Sequence, residues 1–146
     1  MIYISSDHAG YKLKEKLKIY IQEMGYEIDD KGPFALNTND DYPDFVKPVA
    51  LAVAKDEKNM GIIVGGSGQG EAMCANRMKG IRAAVYYGHD KDMITTTREH
   101  NNSNILALGA RFLCTYRAKK AVKLFIKTPF SNNERHIRRI NKLESD

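Results

Sequence analysis

Short, almost wholly apolar runs alternate with helical patterns along this chain, and that alternation limits the fold more than any other feature. Near-continuous apolar strands are typical of a parallel sheet with helices on both faces. Five such strands are indicated, at residues 2–5, 26–28, 61–64, 81–86 and 105–108. The sequence therefore predicts an α/β fold, a three-layer α/β/α sandwich around a doubly wound, five-stranded parallel sheet of Rossmann-like type.

Helical periodicity fills the segments between these strands. The first helix ends near Gly25, which supplies a C-terminal stop, and the second begins at Tyr42-Pro43, with Pro48 tolerable only near its first turns. Further helices are predicted after the third strand, at about 90–99, at 116–125 and at about 132–143. Because no linker or repeat interrupts the pattern, we expect a single domain over residues 1–146.

The composition is typical of a folded protein, with 42% apolar and 28% charged residues in a chain of 146. The net charge of +5 is uneven: residues 1–110 carry 13 Lys/Arg against 15 Asp/Glu, and residues 111–146 carry 10 against 3. A basic C-terminal segment is compatible with nucleic-acid binding, with a site for a phosphorylated metabolite, or with a solvated helix face. Charge alone does not choose between these three.

The two cysteines, Cys74 and Cys114, have neither a metal-ligand spacing nor a disulfide framework. The apolar residues 1–4 meet Asp7 too soon for a signal peptide, and no apolar run approaches the ~20 residues of a membrane span. We therefore expect a cytoplasmic protein with reduced thiols that has no membrane partner and no metal site.

A glycine loop at residues 65–71 carries the clearest functional signal. Such a loop between a strand and a helix directs main-chain N–H groups at an anion. Neither familiar phosphate loop fits, because Glu71 stands where the dinucleotide fingerprint needs glycine and where the P-loop needs lysine. A carboxylate there would repel a triphosphate, so the loop favours an anion that forms beside a base, such as an enolate or enediolate.

Three residues near this loop also have ordinary structural interpretations. A carboxylate at Glu71 favours the dipole of the following helix by ~0.3–1 kcal/mol without any chemistry. Ser67 is able to cap the same helix, and Asp7 is able to cap the first helix. Four glycines within six residues are harder to explain without a ligand that approaches the main chain closely.

The predicted topology indicates which side chains meet. Functional residues in such sheets gather beyond the carboxyl ends of the strands, which brings together Asp7, His8, the loop 65–71 and Arg111. His100 precedes its strand and is expected at the opposite edge, so that only a second subunit could bring it to this cluster. Arg135 and Arg139 are four residues apart and share one helix face, which suits forked hydrogen bonds to a phosphate.

Eight motifs in this order make nearly the whole chain resemble the type B ribose-5-phosphate isomerases. The motifs are Ser6-Asp7-His8-Ala9-Gly10, Asp41-Tyr42-Pro43, residues 65–71, Ala75-Asn76-Arg77, Gly80-Ile81-Arg82-Ala83, Arg98-Glu99-His100-Asn101, residues 106–111 and residues 135–139. The resemblance implies an aldose–ketose isomerase that works through an enediol(ate) without a metal or organic cofactor. It also implies a homodimer or homotetramer whose sites are shared between subunits, with a sugar phosphate as substrate and without nucleic acid.

The family has two branches that differ in the base. In one branch a cysteine ends the third strand, and Gly65 occupies that position here. The chain therefore resembles the other branch, in which a glutamate after the glycine loop is the base, and Glu71 matches it. This departure also bears on the substrate, because galactose-6-phosphate isomerase subunits resemble the cysteine branch.

The resemblance assigns a role to each candidate residue. Glu71 would be the base, Ser67 would move the hydroxyl proton, and His100 would assist opening of the sugar ring. Main-chain N–H groups at Gly66, Gly68 and Gly70 would hold the oxyanion. Sugar hydroxyls would be bound by Asp7 and Asn101, and the phosphate by His8, Arg111, Arg135 and Arg139, so that the C-terminal helix at about 132–143 completes the site.

The resemblance favours interconversion of D-ribose 5-phosphate and D-ribulose 5-phosphate. Allose 6-phosphate, galactose 6-phosphate or a tetrose phosphate would require the same chemistry and stay open as alternative substrates. A phosphate-ligand-binding module without turnover is a further alternative from a different functional class, and it leaves Glu71 and His100 unexplained. His136 and Arg138 receive no role from the sequence, and Cys74 is expected to pack rather than react.

Overall fold

The computed structural model describes residues 1–88 and 90–145, and strands alternate with helices throughout them. The strands are β1 (Ile2–Ser6), β2 (Ile28–Asp30), β3 (Met60–Gly65), β4 (Ala83–Tyr86) and β5 (Ile105–Gly109). The helices are α1 (Tyr11–Glu23), α2 (Tyr42–Val53), α3 (Gln69–Ala75), α4 (Asp92–Asn101), α5 (Thr115–Lys127) and α6 (Glu134–Glu144). Within the described residues, none of these helices has the length and apolarity needed to cross a bilayer. The prediction of one domain also includes residues 89 and 146, which lie outside the described residues.

All five strands are parallel, in the order β2-β1-β3-β5-β4. The chain builds the sheet outward from β1 in both directions, which creates a switch point between β1 and β3. The register pairs Ser6 with Val64 and Gly65 with Gly109. The segments that follow β1, β3 and β5 therefore leave the sheet side by side at its carboxyl edge.

Alternate residues of the central strands face opposite sides of the sheet. In β3, Ile62 and Val64 belong to a cluster with α1, α4 and α5, whereas Ile63 belongs to a second cluster with α2 and α3. All three side chains are fully buried. Helices thus cover both faces, and the predicted three-layer α/β/α architecture is confirmed.

Two strands lie elsewhere than predicted. β2 is Ile28–Asp30 rather than 26–28, because this edge strand is held by charged contacts: Lys14 Nζ lies 3.0 Å and Lys18 Nζ lies 2.6 Å from Asp30 Oδ2. β4 begins at Ala83 rather than Ile81. Ile81 is buried in the α2/α3 core cluster, and the main chain of Arg82 bonds to the Asn104 side chain at 2.8 Å.

Two helical details also bear on the prediction. Pro48 lies inside α2, and the helix continues beyond it to Val53. Because proline has no N–H, the carbonyl four residues earlier lacks its helical hydrogen bond, and that carbonyl belongs to Asp44, an exposed residue of the first turn. The predicted C-terminal helix is confirmed as α6, which contacts α4 and is tied down at its end by Glu144. That carboxylate accepts from Arg82 Nη1 at 2.8 Å and from the Gly80 N–H at 3.0 Å.

Candidate active site

The carboxylate of Glu71 is buried at the end of β3. Glu71 is the third residue of α3 and only 4% exposed. Its side chain turns back over Gly65, where an added Cβ would lie 1.9 Å from Oε1 and 2.5 Å from Oε2. The carboxylate thus occupies the space that any side chain at residue 65 would need, and the missing Cβ of Gly65 makes room for it.

Burial raises the pKa of Glu71 above its ordinary value of about 4.5. The main-chain N–H of Glu71 opposes this rise, and the negative charge of Asp7 adds to it. The Asp7 N–H donates to the Val64 carbonyl at 3.2 Å, so the segments that follow β1 and β3 lie side by side. A carboxyl group with a raised pKa is a stronger base once it is ionised, as proton abstraction from carbon requires.

The glycine loop is closely packed by its neighbours. Gly68 has φ +79°, a conformation that favours glycine, and an added Cβ there would lie 3.1 Å from the Ala107 carbonyl oxygen. The ring of Tyr42 covers Gly70, where an added Cβ would lie 2.9 Å from Cζ. Ser67 Oγ accepts a hydrogen bond from the Gln69 N–H at 3.3 Å, so this hydroxyl does support the helix start. Because α3 has only seven residues, an anion bound here would be held by the loop amides rather than by a long helix dipole.

Asp7 and His8 follow β1 at the same edge. Asp7 Oδ1 accepts from the Gly10 N–H at 2.9 Å, so Asp7 does stabilise the turn before α1. His8 is partly exposed and is held by a residue that the sequence did not single out: Asp40 Oδ1 accepts from the His8 N–H at 3.1 Å and lies 2.6 Å from ring Nδ1. Asp40 is 32 positions away in a polar segment between β2 and α2, so no local signal marks it.

Arg111 completes this edge of the sheet. It follows β5, and its guanidinium lies over the glycine loop, 3.2 Å (Nε) and 3.3 Å (Cζ) from an added Cβ at Gly66. The residues Asp7, His8, 65–71 and Arg111 therefore form one cluster, as the topology predicted. We call this cluster the carboxyl-edge half-site.

The remaining candidates lie at the other edge. His100 and Asn101 end α4 and precede β5, while Arg135 and Arg139 lie on α6, which packs against α4. We call these four residues the amino-edge half-site. The five residues of β5 separate it from the other half-site by about 13 Å along the strand. The prediction that His100 lies at the opposite edge from Glu71 is confirmed.

His136 organises the amino-edge half-site. Its ring centroid lies 4.3 Å from that of His100, and its Nδ1 lies 2.8 Å from Ser131 Oγ. Burial lowers the pKa of His136, and the positive charges of His100, Arg135 and Arg139 lower it further. His136 thus joins α6 to α4 beside His100 and the two arginines, and a hydrogen bond to the Glu99 main chain opposes the lowering of its pKa. Cys74 on α3 is a free thiol that packs against the α2/α3 core cluster, so the prediction that this side chain packs is confirmed.

Comparison with known proteins adds a second line of evidence. The family model described as Ribose/Galactose Isomerase matches residues 2–143. Ribose-5-phosphate isomerase B of Mycobacterium tuberculosis H37Rv is 36% identical over 140 residues, covering 96% of this chain and 85% of that protein. The putative sugar phosphate isomerase YwlF of Bacillus subtilis is 37% identical over 142 residues, covering 97% of this chain and 93% of that protein.

Solved structures agree with the sequence comparison. Ribose-5-phosphate isomerase B from Mycoplasma genitalium with bound ribulose-5-phosphate has a TM-score of 0.93 and 37% identity, covering 98% of this chain and 93% of that one. The Thermotoga maritima ribose 5-phosphate isomerase has a TM-score of 0.90 and 40% identity, covering 98% and 96%. On these grounds the chain belongs to the ribose/galactose isomerase family.

Proposed function

We propose that this chain interconverts D-ribose 5-phosphate and D-ribulose 5-phosphate through an enediol(ate), with Glu71 as the base. The observation that carries the proposal is the buried Glu71 carboxylate, which lies over Gly65 at the end of β3 and whose pKa burial raises. The choice of substrate is supported by relatives named ribose-5-phosphate isomerase B, one of them with bound ribulose-5-phosphate.

The proposed reaction moves two protons and needs no net oxidant. Glu71 takes the proton from C2 of the open-chain aldose and returns it to C1 of the enediolate, which yields the ketose. Ser67 relays the hydroxyl proton from O2 to O1. The main-chain N–H groups of Gly66, Gly68 and Gly70 stabilise the negative charge that develops on these oxygens.

The other candidates bind and prepare the substrate. His100 assists opening of the sugar ring, and Asp7 and Asn101 bind hydroxyl groups. His8, Arg111, Arg135 and Arg139 bind the phosphate, for which arginine is well suited because its guanidinium makes forked, charge-assisted hydrogen bonds. This assignment gives the basic segment 111–146 a role in the site.

The active site is shared between two copies of the chain. Support comes from the separation of the two half-sites, since the base and the ring-opening histidine lie at opposite edges of one sheet. A two-fold dimer is able to place the amino-edge half-site of one subunit against the carboxyl-edge half-site of the other, and it does so twice. The resulting assembly is a homodimer, or a homotetramer built from such dimers.

Turnover by the purified protein tests the proposal. We expect conversion of ribose 5-phosphate in the presence of EDTA, faster than that of allose 6-phosphate or a tetrose phosphate at equal concentration. Preference for another sugar would keep the chemistry and change the substrate, and no turnover of any sugar would reject the proposal.

The base is tested by substitution. We expect Glu71→Gln to lower kcat at least ~100-fold, the scale on which a general base contributes, while binding of inorganic phosphate is retained. The exposed Glu57 offers a matched control, and Glu57→Gln should leave kcat unchanged. Substantial activity in Glu71→Gln would remove Glu71 from the role of base.

A further inference from the structure

Residues 31–41 form a loop between β2 and α2 that reaches across the carboxyl-edge half-site. Near its end, the single carboxylate of Asp40 holds both the main chain and the ring of His8, at 3.1 Å from N and 2.6 Å from Nδ1. The Asp40 side chain is 5% exposed, whereas that of His8 is 33% exposed. The carboxylate therefore lies behind the imidazole, and the ring faces the open side of the site.

The burial of Asp40 is unfavourable for stability. Its second oxygen, Oδ2, is buried without a hydrogen-bond partner in the described residues. A buried acceptor left unpaired is unfavourable, and more so when it carries charge. Unpaired buried polar groups of this kind are uncommon and often accompany function.

Other contacts anchor this loop at its base. Lys14 Nζ donates to the Pro33 carbonyl at 2.7 Å and to Asp30, and the Ser6 N–H donates to the Gly32 carbonyl at 3.0 Å. The start of the loop is thus held through α1 and β1 without Asp40. What Asp40 adds is its contact with His8.

We propose that Asp40 is a positioning residue for phosphate recognition, acting through His8. Its carboxylate accepts the hydrogen bond of the Nδ1–H and fixes the plane of the ring, so that a second ring N–H, at Nε2, is directed outward to donate to a phosphate oxygen of the substrate. The bond to the His8 N–H fixes the main chain at the same point. This inference rests on the proposed function, because it takes the phosphate contact of His8 from it.

A double-mutant cycle separates action through His8 from a general effect on folding. We expect Asp40→Ala to raise the KM for ribose 5-phosphate roughly tenfold, the scale of one charge-assisted hydrogen bond, with kcat changed less than about threefold. In a His8→Gln background the same substitution should change KM by less than about twofold. An equal loss in both backgrounds, or no loss in the first, would overturn the proposal.

The exposed Asp56 supplies a control of equal charge change, and Asp56→Asn should leave KM unchanged. Asp40→Asn keeps one acceptor oxygen, so it should restore part of the loss seen in Asp40→Ala. If Asn and Ala lower the affinity equally, the carboxylate would not act through hydrogen bonding to His8, and the proposal would fail.

A measurement without turnover makes this proposal separable from the proposed function. The side-chain ¹⁵N resonances of His8, assigned with His8→Gln, should show a proton on Nδ1 in the wild type that is lost in Asp40→Ala. The affinity for inorganic phosphate should fall in the same variant. An unchanged His8 spectrum would refute the positioning role even in an active enzyme, whereas a wild type with the expected spectrum but without sugar turnover would refute only the proposed function.

Discussion

Gly65 and Glu71 act as one unit at the scale of single residues. The Glu71 carboxylate fills the space in front of the Gly65 Cα, so the chain is able to hold a side chain at residue 65 or the buried glutamate, but not both. This geometry gives a physical reason why a chain with Glu71 on α3 as its proposed base has no side chain at the end of β3.

Substitution of Gly65 should therefore damage the site more than the fold. We expect Gly65→Ala to displace the Glu71 carboxylate and lower kcat at least ~100-fold, as loss of the base would. Gly61 in the same strand is the matched control, because its added Cβ would meet Ile105 and Val49 side chains at 2.9 Å in the core. Gly61→Ala should destabilise by about 1–3 kcal/mol and retain kcat. Parallel steady-state kinetics and urea unfolding of both variants test this, and equal kcat values for them would contradict it.

The raised pKa of Glu71 has a consequence for stability as well as for catalysis. A carboxyl group whose pKa is higher in the folded than in the unfolded state binds its proton more tightly when the protein is folded. It therefore favours folding at low pH, and this contribution is fully present below the unfolded pKa. That contribution is lost as the pH rises through the folded pKa, because the buried group must then ionise. Once ionised, the buried Glu71 is a destabilising group.

Thermal melts of Glu71→Gln against pH test this sign. We expect the variant to have a higher Tm than the wild type at pH 8, by roughly 2–5 °C, and the difference to shrink as the pH falls toward 4. Glu57→Gln, which alters an exposed carboxylate, should show no such dependence. A difference that grows at low pH would mean that Glu71 is stabilised by a partner when ionised.

At the scale of the elements, α1 and β2 are joined by a charge network as well as by the apolar packing of Ile28. Lys14 is fully buried, and its ammonium group contacts Asp30 and the Pro33 carbonyl. Burial alone would raise the pKa of Asp30, but hydrogen bonds from Lys18, the Gly32 N–H and Lys14 lower it overall. The network therefore holds the edge strand and the base of the loop that carries Asp40.

Removal of the buried ammonium group should be strongly destabilising. We expect Lys14→Met to lower the free energy of unfolding by about 3 kcal/mol, because it leaves the Pro33 carbonyl and part of the Asp30 carboxylate buried without a partner. Lys16 lies on the exposed face of the same helix, and Lys16→Met should change stability by less than ~0.5 kcal/mol. Denaturant unfolding at pH 7 measures both. Equal losses in the free energy of unfolding of the two variants would show that the charge network does not stabilise the fold.

The elements also show where reasoning from the sequence works. For strands with a strong apolar signal, such as 61–64 and 105–108, each predicted end lies within one residue of the end in the structure. The reason is that burial on both faces of the sheet leaves a continuous apolar run. The predicted position of β2 is wrong because its second and third residues are aspartates. Asp30 is paired with Lys14 and Lys18 of α1, and Asp29 is paired with the adjacent Lys31. Asp40 and His136 were missed for the same kind of reason, since their partners lie on other segments of the chain.

At the scale of the whole molecule, one chain holds two incomplete halves of the proposed site. The carboxyl-edge half-site contains Glu71, the proposed base, but not His100, and the amino-edge half-site contains His100 and two arginines but not Glu71. Topology predicted this separation, since His100 precedes β5 and Arg111 follows it. In the proposed dimer one copy supplies the first half and its partner supplies the second, and complementation between variants tests this arrangement.

Mixed dimers of two impaired variants should regain activity. Co-refolded Glu71→Gln and Arg139→Ala chains form heterodimers in half of the cases, and each heterodimer has one site with both an intact Glu71 and an intact Arg139. We therefore expect about a quarter of the wild-type activity at substrate concentrations below the wild-type KM. Glu71→Gln mixed with Arg111→Ala is the matched control, because both residues belong to the carboxyl-edge half-site and no mixture restores an intact one. No recovery in the first mixture would show that each subunit builds its site alone, and equal recovery in the two mixtures would contradict the division of these residues between the two half-sites.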